Sequence, residues 1–193
     1  MNPSKVKSSV KVPNPEIVLS EAEPSDYPRI ARLHALSWQS AYRGIVSDEY
    51  LDGDVFSDRL DFWKKQIASG IAEGQSGFLA CDGGEERAFG WIRLDADPIW
   101  GCAIENLHVH PQGIGRRLMA ACAGRIAKAR PGSPLFLFVL EANHPAVGFY
   151  ESLGGERAER VDRKTGDGKI AAAFRMVWRN PRVLSEKSDS NVD

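Results

Sequence analysis

The chain has few of the residues that mark specialised protein classes. Cysteine occurs only three times in 193 residues, as Cys81, Cys102 and Cys122. An odd number, set far apart in apolar stretches, suits reduced core thiols better than disulfides or a metal site. No apolar run approaches the roughly 20 residues that a bilayer-crossing helix needs. The polar, lysine-bearing start has no apolar signal core, so the protein is expected in the cytoplasm. Neither charge sign dominates: 25 Lys and Arg stand against 26 Asp and Glu, for a net charge of -1. That balance gives no electrostatic footprint for nucleic acid and no polybasic membrane signal. Internal repeats are also missing. What remains, 42% hydrophobic and 26% charged residues, describes an ordinary globular domain with one core and a small-molecule partner.

The informative stretch runs over residues 105–119. Before Pro111 the residues alternate as a half-buried strand should, with Glu105, Leu107 and Val109 on one face and His108 and His110 on the other. Pro111 has no amide hydrogen and ends the ladder. After it, Ile114, Leu118, Cys122 and Ile126 recur every four residues, the stripe of a helix that leaves Arg116, Arg117 and Arg125 wet. Gly113 and Gly115 stand where that helix begins. Glycines there admit a ligand to the backbone, and the free amides and positive dipole end of a first helical turn suit a phosphate. Two known phosphate fingerprints are absent. No Gly-Lys-Ser/Thr follows, and Leu118 stands where a dinucleotide fold places its third glycine.

The remaining chain reads in order. Residues 1–15 form a disordered arm and 180–193 a disordered tail, around one domain over 16–179. A strand at 16–20 leads to a helix capped by Ser25 or Asp26, with Ile30, Leu33, Ser37 and Ala41 along one face. Trp38 and Tyr42, four apart, meet on that helix. They either pack in the core or wall a substrate pocket. A second helix at 57–68 gathers Leu60, Trp63, Lys64 and Ile67. Strands at 77–81 and 88–94 form a hairpin, residues 95–101 turn, and the central strand covers 102–109. After the helix at 114–130 comes Leu135-Phe136-Leu137-Phe138-Val139-Leu140, apolar throughout, as an interior parallel strand is. A short helix follows, with Asn143 or His144 at its start, Pro145 in its first turn and Tyr150 on its last. Strands near 157–161 and 170–178 close the chain. The order predicts a mixed α/β sheet with helices on both faces.

These segments together resemble the GCN5-related N-acetyltransferase superfamily, in its bacterial small-molecule branch, from about Ile17 to Trp178. Three motifs carry the likeness: Trp38-(three)-Tyr42-Arg43-Gly44; Asn106 to Pro111 with Gly113 to Leu118; and Leu137-(one)-Val139-(three)-Asn143-(two)-Ala146-(two)-Phe149-Tyr150-Glu151-(one)-Leu153-Gly154. The resemblance implies a single, mostly antiparallel sheet of about seven strands with a V-shaped splay at its centre. It implies acetyl-CoA as donor and direct transfer to a primary amine of a small molecule. It assigns the cofactor to Leu107, His108, Val109, Gln112, Gly113, Ile114, Gly115, Arg116, Arg117, Asn143, Ala146 and Phe149, and the acceptor to Trp38 and Tyr42. Tyr150 would protonate the leaving thiolate, whose unperturbed thiol pKa near 8.5 rewards a general acid. The resemblance also allows a homodimer.

Two departures matter. Only His110, Pro111 and Gln112 separate Val109 from the Gly-x-Gly, a shorter phosphate loop than the family usually has. It keeps open a second reading, a weakened acyl-CoA-binding or interaction module with the same fold. Relatives often carry a carboxylate where this chain has Ala103, which leaves Glu105 as the nearest general base, or else a solvated strand-end glutamate. His108 and His110 could bind a metal, yet no third ligand stands at a persuasive spacing, so no metal is expected.

Overall fold

In a computed structural model of the protein, residues 17–82, 84–109 and 114–186 are described. The expected arm, residues 187–193 of the expected tail, and His110, Pro111, Gln112 and Gly113 of the phosphate loop lie outside them.

The elements are β1 (Val18–Glu21), α1 (Tyr27–Ala41), α2 (Asp48–Asp52), α3 (Val55–Ile67), β2 (Gln75–Asp82), β3 (Glu85–Asp97), β4 (Gly101–Val109), α4 (Gly115–Ala129), β5 (Leu135–Leu140), α5 (His144–Ser152), β6 (Glu156–Lys164), β7 (Ile170–Trp178) and α6 (Arg182–Glu186). The seven strands make one sheet in the order β1-β2-β3-β4-β5-β7-β6. Every pairing is antiparallel except β4 with β5. That parallel step needs a crossover, and α4 supplies it.

Two apolar layers hold the helices to the sheet. On one face Ile30, Ala31 and Leu33 of α1 and Trp63 and Ile67 of α3 bury against Leu79, Phe89 and Trp91. On the other, Met119, Cys122, Ala123 and Ile126 of α4 bury against Ile92, Cys102, Ile104 and Leu135. The stripe read as Ile114, Leu118, Cys122 and Ile126 is fully buried, at 5% exposure or less. Arg116, Arg117 and Arg125 stay toward solvent.

Several expectations change. The loop after Tyr42 contains a short helix, α2, whose Leu51 is wholly buried. Strand β3 continues to Asp97, through the segment expected to turn. Strand β5 is parallel to β4 for two residue pairs only and antiparallel to β7 along its whole length. Its apolar run reflects burial in the sheet's interior, not a parallel neighbourhood. The tail expected from Asn180 begins with α6, which packs Leu184 into the core beside α4 at 4% exposure. No helix among the described residues is long and apolar enough to cross a membrane.

Candidate active site

The site begins where two strands part. β4 and β5 pair only at Cys102 with Leu135 and Ala103 with Phe136. Beyond those pairs β4 keeps β3 on one side and, among the described residues, has no strand on the other. Buried backbone donors and acceptors need partners, so this open edge invites a ligand to complete it. It faces a cavity of about 630 Å³ lined by Leu107, His108 and Val109 of β4, Leu137 and Val139 of β5, and the first turns of α4 and α5.

A bulge sets the side chains of β4. Ile92 pairs with Ile104 and Trp91 with Asn106, which leaves Glu105 as an extra residue opposite β3. One extra residue reverses the inside-outside alternation of everything after it. Before the bulge Cys102 and Ile104 face α4; after it Leu107 does. Glu105 therefore does not share the face of Leu107 and Val109, contrary to the strict alternation expected from the sequence. It lies with Ala103 on the side of β3 residue Arg93, whose Nη2 sits 2.6 Å from its carboxylate.

Past the reversal His108 turns toward α1. Its Nδ1 lies 3.1 Å from the Ser37 hydroxyl, and its ring stacks on His34 at 4.3 Å between centroids. Burial, followed by the nearby Arg59 charge, brings the His108 imidazole down to about 3. His34 is likewise held well below its ordinary value by burial, then by His108 and Arg59. Both rings are neutral at physiological pH. His34 Nδ1 accepts from Trp63 Nε1 at 3.0 Å, so its proton is on Nε2, which has no acceptor among the described residues. Ser37 was legible as a polar residue inside an apolar stripe; the partnership of His34, Ser37 and Arg59 was not.

On the opposite wall, Asn143 caps α5, its Oδ1 accepting from the Ala146 amide at 3.3 Å. Ala146, Phe149 and Tyr150 line the cavity along that helix. Gly115 opens α4 against Phe149; a Cβ there would stand 3.1 Å from the ring tip. Tyr150 is 7% exposed. Burial, with Tyr42 and Cys122 nearby, raises its phenol well above the ordinary value, so it keeps its proton at neutral pH. Arg116 lines the cavity mouth and reaches the Ser152 hydroxyl at 3.4 Å. Two residues assigned to the cofactor stand apart from the lining: Arg117 turns away to the Ile17 carbonyl at 3.1 Å, and the Ile114 side chain is buried beside Leu118. Gln112 and Gly113 lie outside the described residues.

A second cavity of about 420 Å³ shares Trp38, Tyr42, Ile104, Glu105, Leu137 and Phe138 with the first. Trp38 and Tyr42 are thus walls of a pocket, half-buried, with burial pushing the Tyr42 phenol up to about 12. The outer wall is the turn between β6 and β7. The Ser47 amide donates to the Asp167 carboxylate at 3.0 Å, tying that turn to the segment after α1. Gly166 rests on Trp38 and Tyr50, where a Cβ would be 2.5 Å from the indole. Among the described residues no set of three His, Cys, Asp or Glu side chains is placed to hold a metal ion.

A seven-stranded mixed sheet, splayed beside a bulged central strand and flanked by helices on both faces, defines the acyl-CoA N-acyltransferase fold. Residues 30–155 match the acetyltransferase (GNAT) family, and the chain belongs to it. It is 30% identical over 144 residues to an uncharacterized N-acetyltransferase of Bacillus subtilis, covering 73% of this chain and 81% of that one. The PaiA N-acetyltransferase of Thermoplasma acidophilum, solved in complex with coenzyme A, superposes with a TM-score of 0.61 at 18% identity, covering 84% of this chain and 98% of that chain. A putative acetyltransferase of Salmonella typhimurium, solved with acetyl-CoA, gives a TM-score of 0.57 at 14% identity over 84% and 93% of the two chains. These two likenesses concern the fold.

Proposed function

We propose that the protein transfers acetyl from acetyl-CoA to a primary amine of a small molecule. The observation that carries this reading is the junction of two cavities at the bulge: one runs along the open edge of β4 to Tyr150, the other leads away past Glu105. The first fits the donor chemically. An open strand edge offers backbone hydrogen bonds to an amide-bearing arm, Gly115 keeps the first turn of α4 bare, and Arg116 stands at the mouth for a phosphate. Acetyl-CoA would supply an activated thioester there.

The chain's own groups then divide the work. Backbone amides along the open edge of β4 would polarise a carbonyl oxygen, where developing charge is best stabilised. Glu105, held by Arg93, takes the proton the amine sheds as its nitrogen bonds to the acetyl carbon. Tyr150 gives its proton to the sulfur as the carbon–sulfur bond breaks. His34 and His108, both neutral, shape the wall beside this junction without adding charge. A dissolved metabolite as acceptor, with neither nucleic acid nor membrane as partner, is the reading that the size of the second cavity and the chain's balanced charge support. The buried free thiols Cys102 and Cys122 agree with a cytoplasmic setting.

Calorimetric titration with acetyl-CoA, followed by an assay of thiol release with amine acceptors, tests the reading. Micromolar binding and acceptor-dependent release are expected. No binding at millimolar acetyl-CoA would sink it.

A further inference from the structure

The second cavity carries charge that direct acetyl transfer does not use. Four cationic side chains line it, Arg93, Arg163, Lys164 and Arg175, against two carboxylates, Asp97 and Glu105. Both carboxylates are already engaged. Asp97 accepts from the Ile99 and Trp100 amides at 2.8 and 3.0 Å, and Glu105 pairs with Arg93. Arg175 is paired too, its Nε 2.6 Å from Glu159. Arg163 and Lys164 have no carboxylate partner among the described residues.

Geometry holds these cations together. The Arg163 guanidinium lies 4.3 Å from the Phe138 ring centroid and that of Arg175 4.6 Å from the same centroid. Two guanidiniums gathered at one ring in a cleft focus positive potential, and a guanidinium fork matches a carboxylate.

Resting on the acetyl-transfer reading above, we infer that the acceptor is a compact amine that also bears a carboxylate, of amino-acid type. Its ammonium end enters toward Glu105 at the junction of the cavities, and its carboxylate lies outward against Arg163 and Lys164. The same charge pattern opposes polyamines, which would bring two or more positive charges against Arg163 and Lys164, unpaired among the described residues.

The test uses the full chain with saturating acetyl-CoA and free amino acids, each set against its own carboxamide, with spermidine as the polycation. A kcat/KM at least tenfold higher for the carboxylate than for the carboxamide is expected for the amino acids that turn over. In the double variant Arg163→Gln with Lys164→Gln that ratio should collapse through a rise in KM for the carboxylate form. Spermidine or the carboxamides used as well as or better than the carboxylates would overturn the inference. So would an unchanged ratio in the variant, or no turnover of any amino acid by a protein that binds acetyl-CoA. Calorimetry with acetyl-CoA alone separates the two levels, since lost donor binding would remove the transfer reading itself.

Discussion

At the scale of single residues the chemistry depends on which groups are charged at neutral pH. Tyr150 keeps its proton because burial raises it, and the proposed role needs that proton. Tyr150→Phe is therefore expected to lower kcat about a hundredfold, in the range for loss of a general acid, while calorimetry shows acetyl-CoA affinity unchanged. His108 and His34 are the opposite case, imidazoles whose charged form burial disfavours. Between about pH 3 and an unfolded value near 6.5 the unfolded chain binds protons that folded His108 refuses. Stability then rises with pH through that window, is fully present above it, and is lost as the pH falls. Urea unfolding at pH 5 and pH 7.5 should show a lower midpoint at pH 5, and His108→Gln should narrow the difference between the two.

At the scale of elements the bulge in β4 and the close packing of β2 and β3 decide the site's geometry. Gly77 of β2 lies under the Trp91 ring, where a Cβ would overlap the indole and come within 3.2 Å of Ala22. Overpacking of this kind costs about 1–3 kcal/mol, and Gly77→Ala should lower the urea midpoint accordingly with the m-value unchanged. β4, α4 and α5 were legible in the sequence because their signals are local. Alternation marked β4, fourfold spacing marked α4, and Asn143 with Pro145 marked the start of α5. Glu105 shows where that local logic stops. Its face follows from a register shift against Trp91 and Ile92, and a pairing defect between strands leaves no trace in one strand's pattern.

At the scale of the whole molecule two segments far apart in sequence close the second cavity. The Ser47 amide, after α1, meets Asp167 of the β6–β7 turn across 120 positions. The Thr165 hydroxyl, then that amide, hold the Asp167 carboxyl well below the usual range. Asp167→Ala removes the tie. It should raise the acceptor KM about tenfold, the scale of one hydrogen bond to a charged group, and leave acetyl-CoA affinity where it was. Paired kinetics and calorimetry check both halves. A loss of donor affinity would show that the two cavities are not independent.

The sequence by itself determined the order of the seven strands and of helices α1, α3, α4 and α5, the stripe that buries α4, and the places of Asn143 at the start of α5 and Tyr150 on it. Each rests on periodicity or capping within a few neighbouring positions, and the backbone repeats convert such patterns directly into faces and ends. Tertiary structure alone decided that β5 is mainly antiparallel, that α2 and α6 form, and that Glu105 faces Arg93. It also brought His34, Ser37 and His108 to one wall and gathered Arg163 and Arg175 at Phe138. Those contacts join residues of different elements, and they arise only from the register and splay of the assembled sheet, which no single stretch of chain encodes.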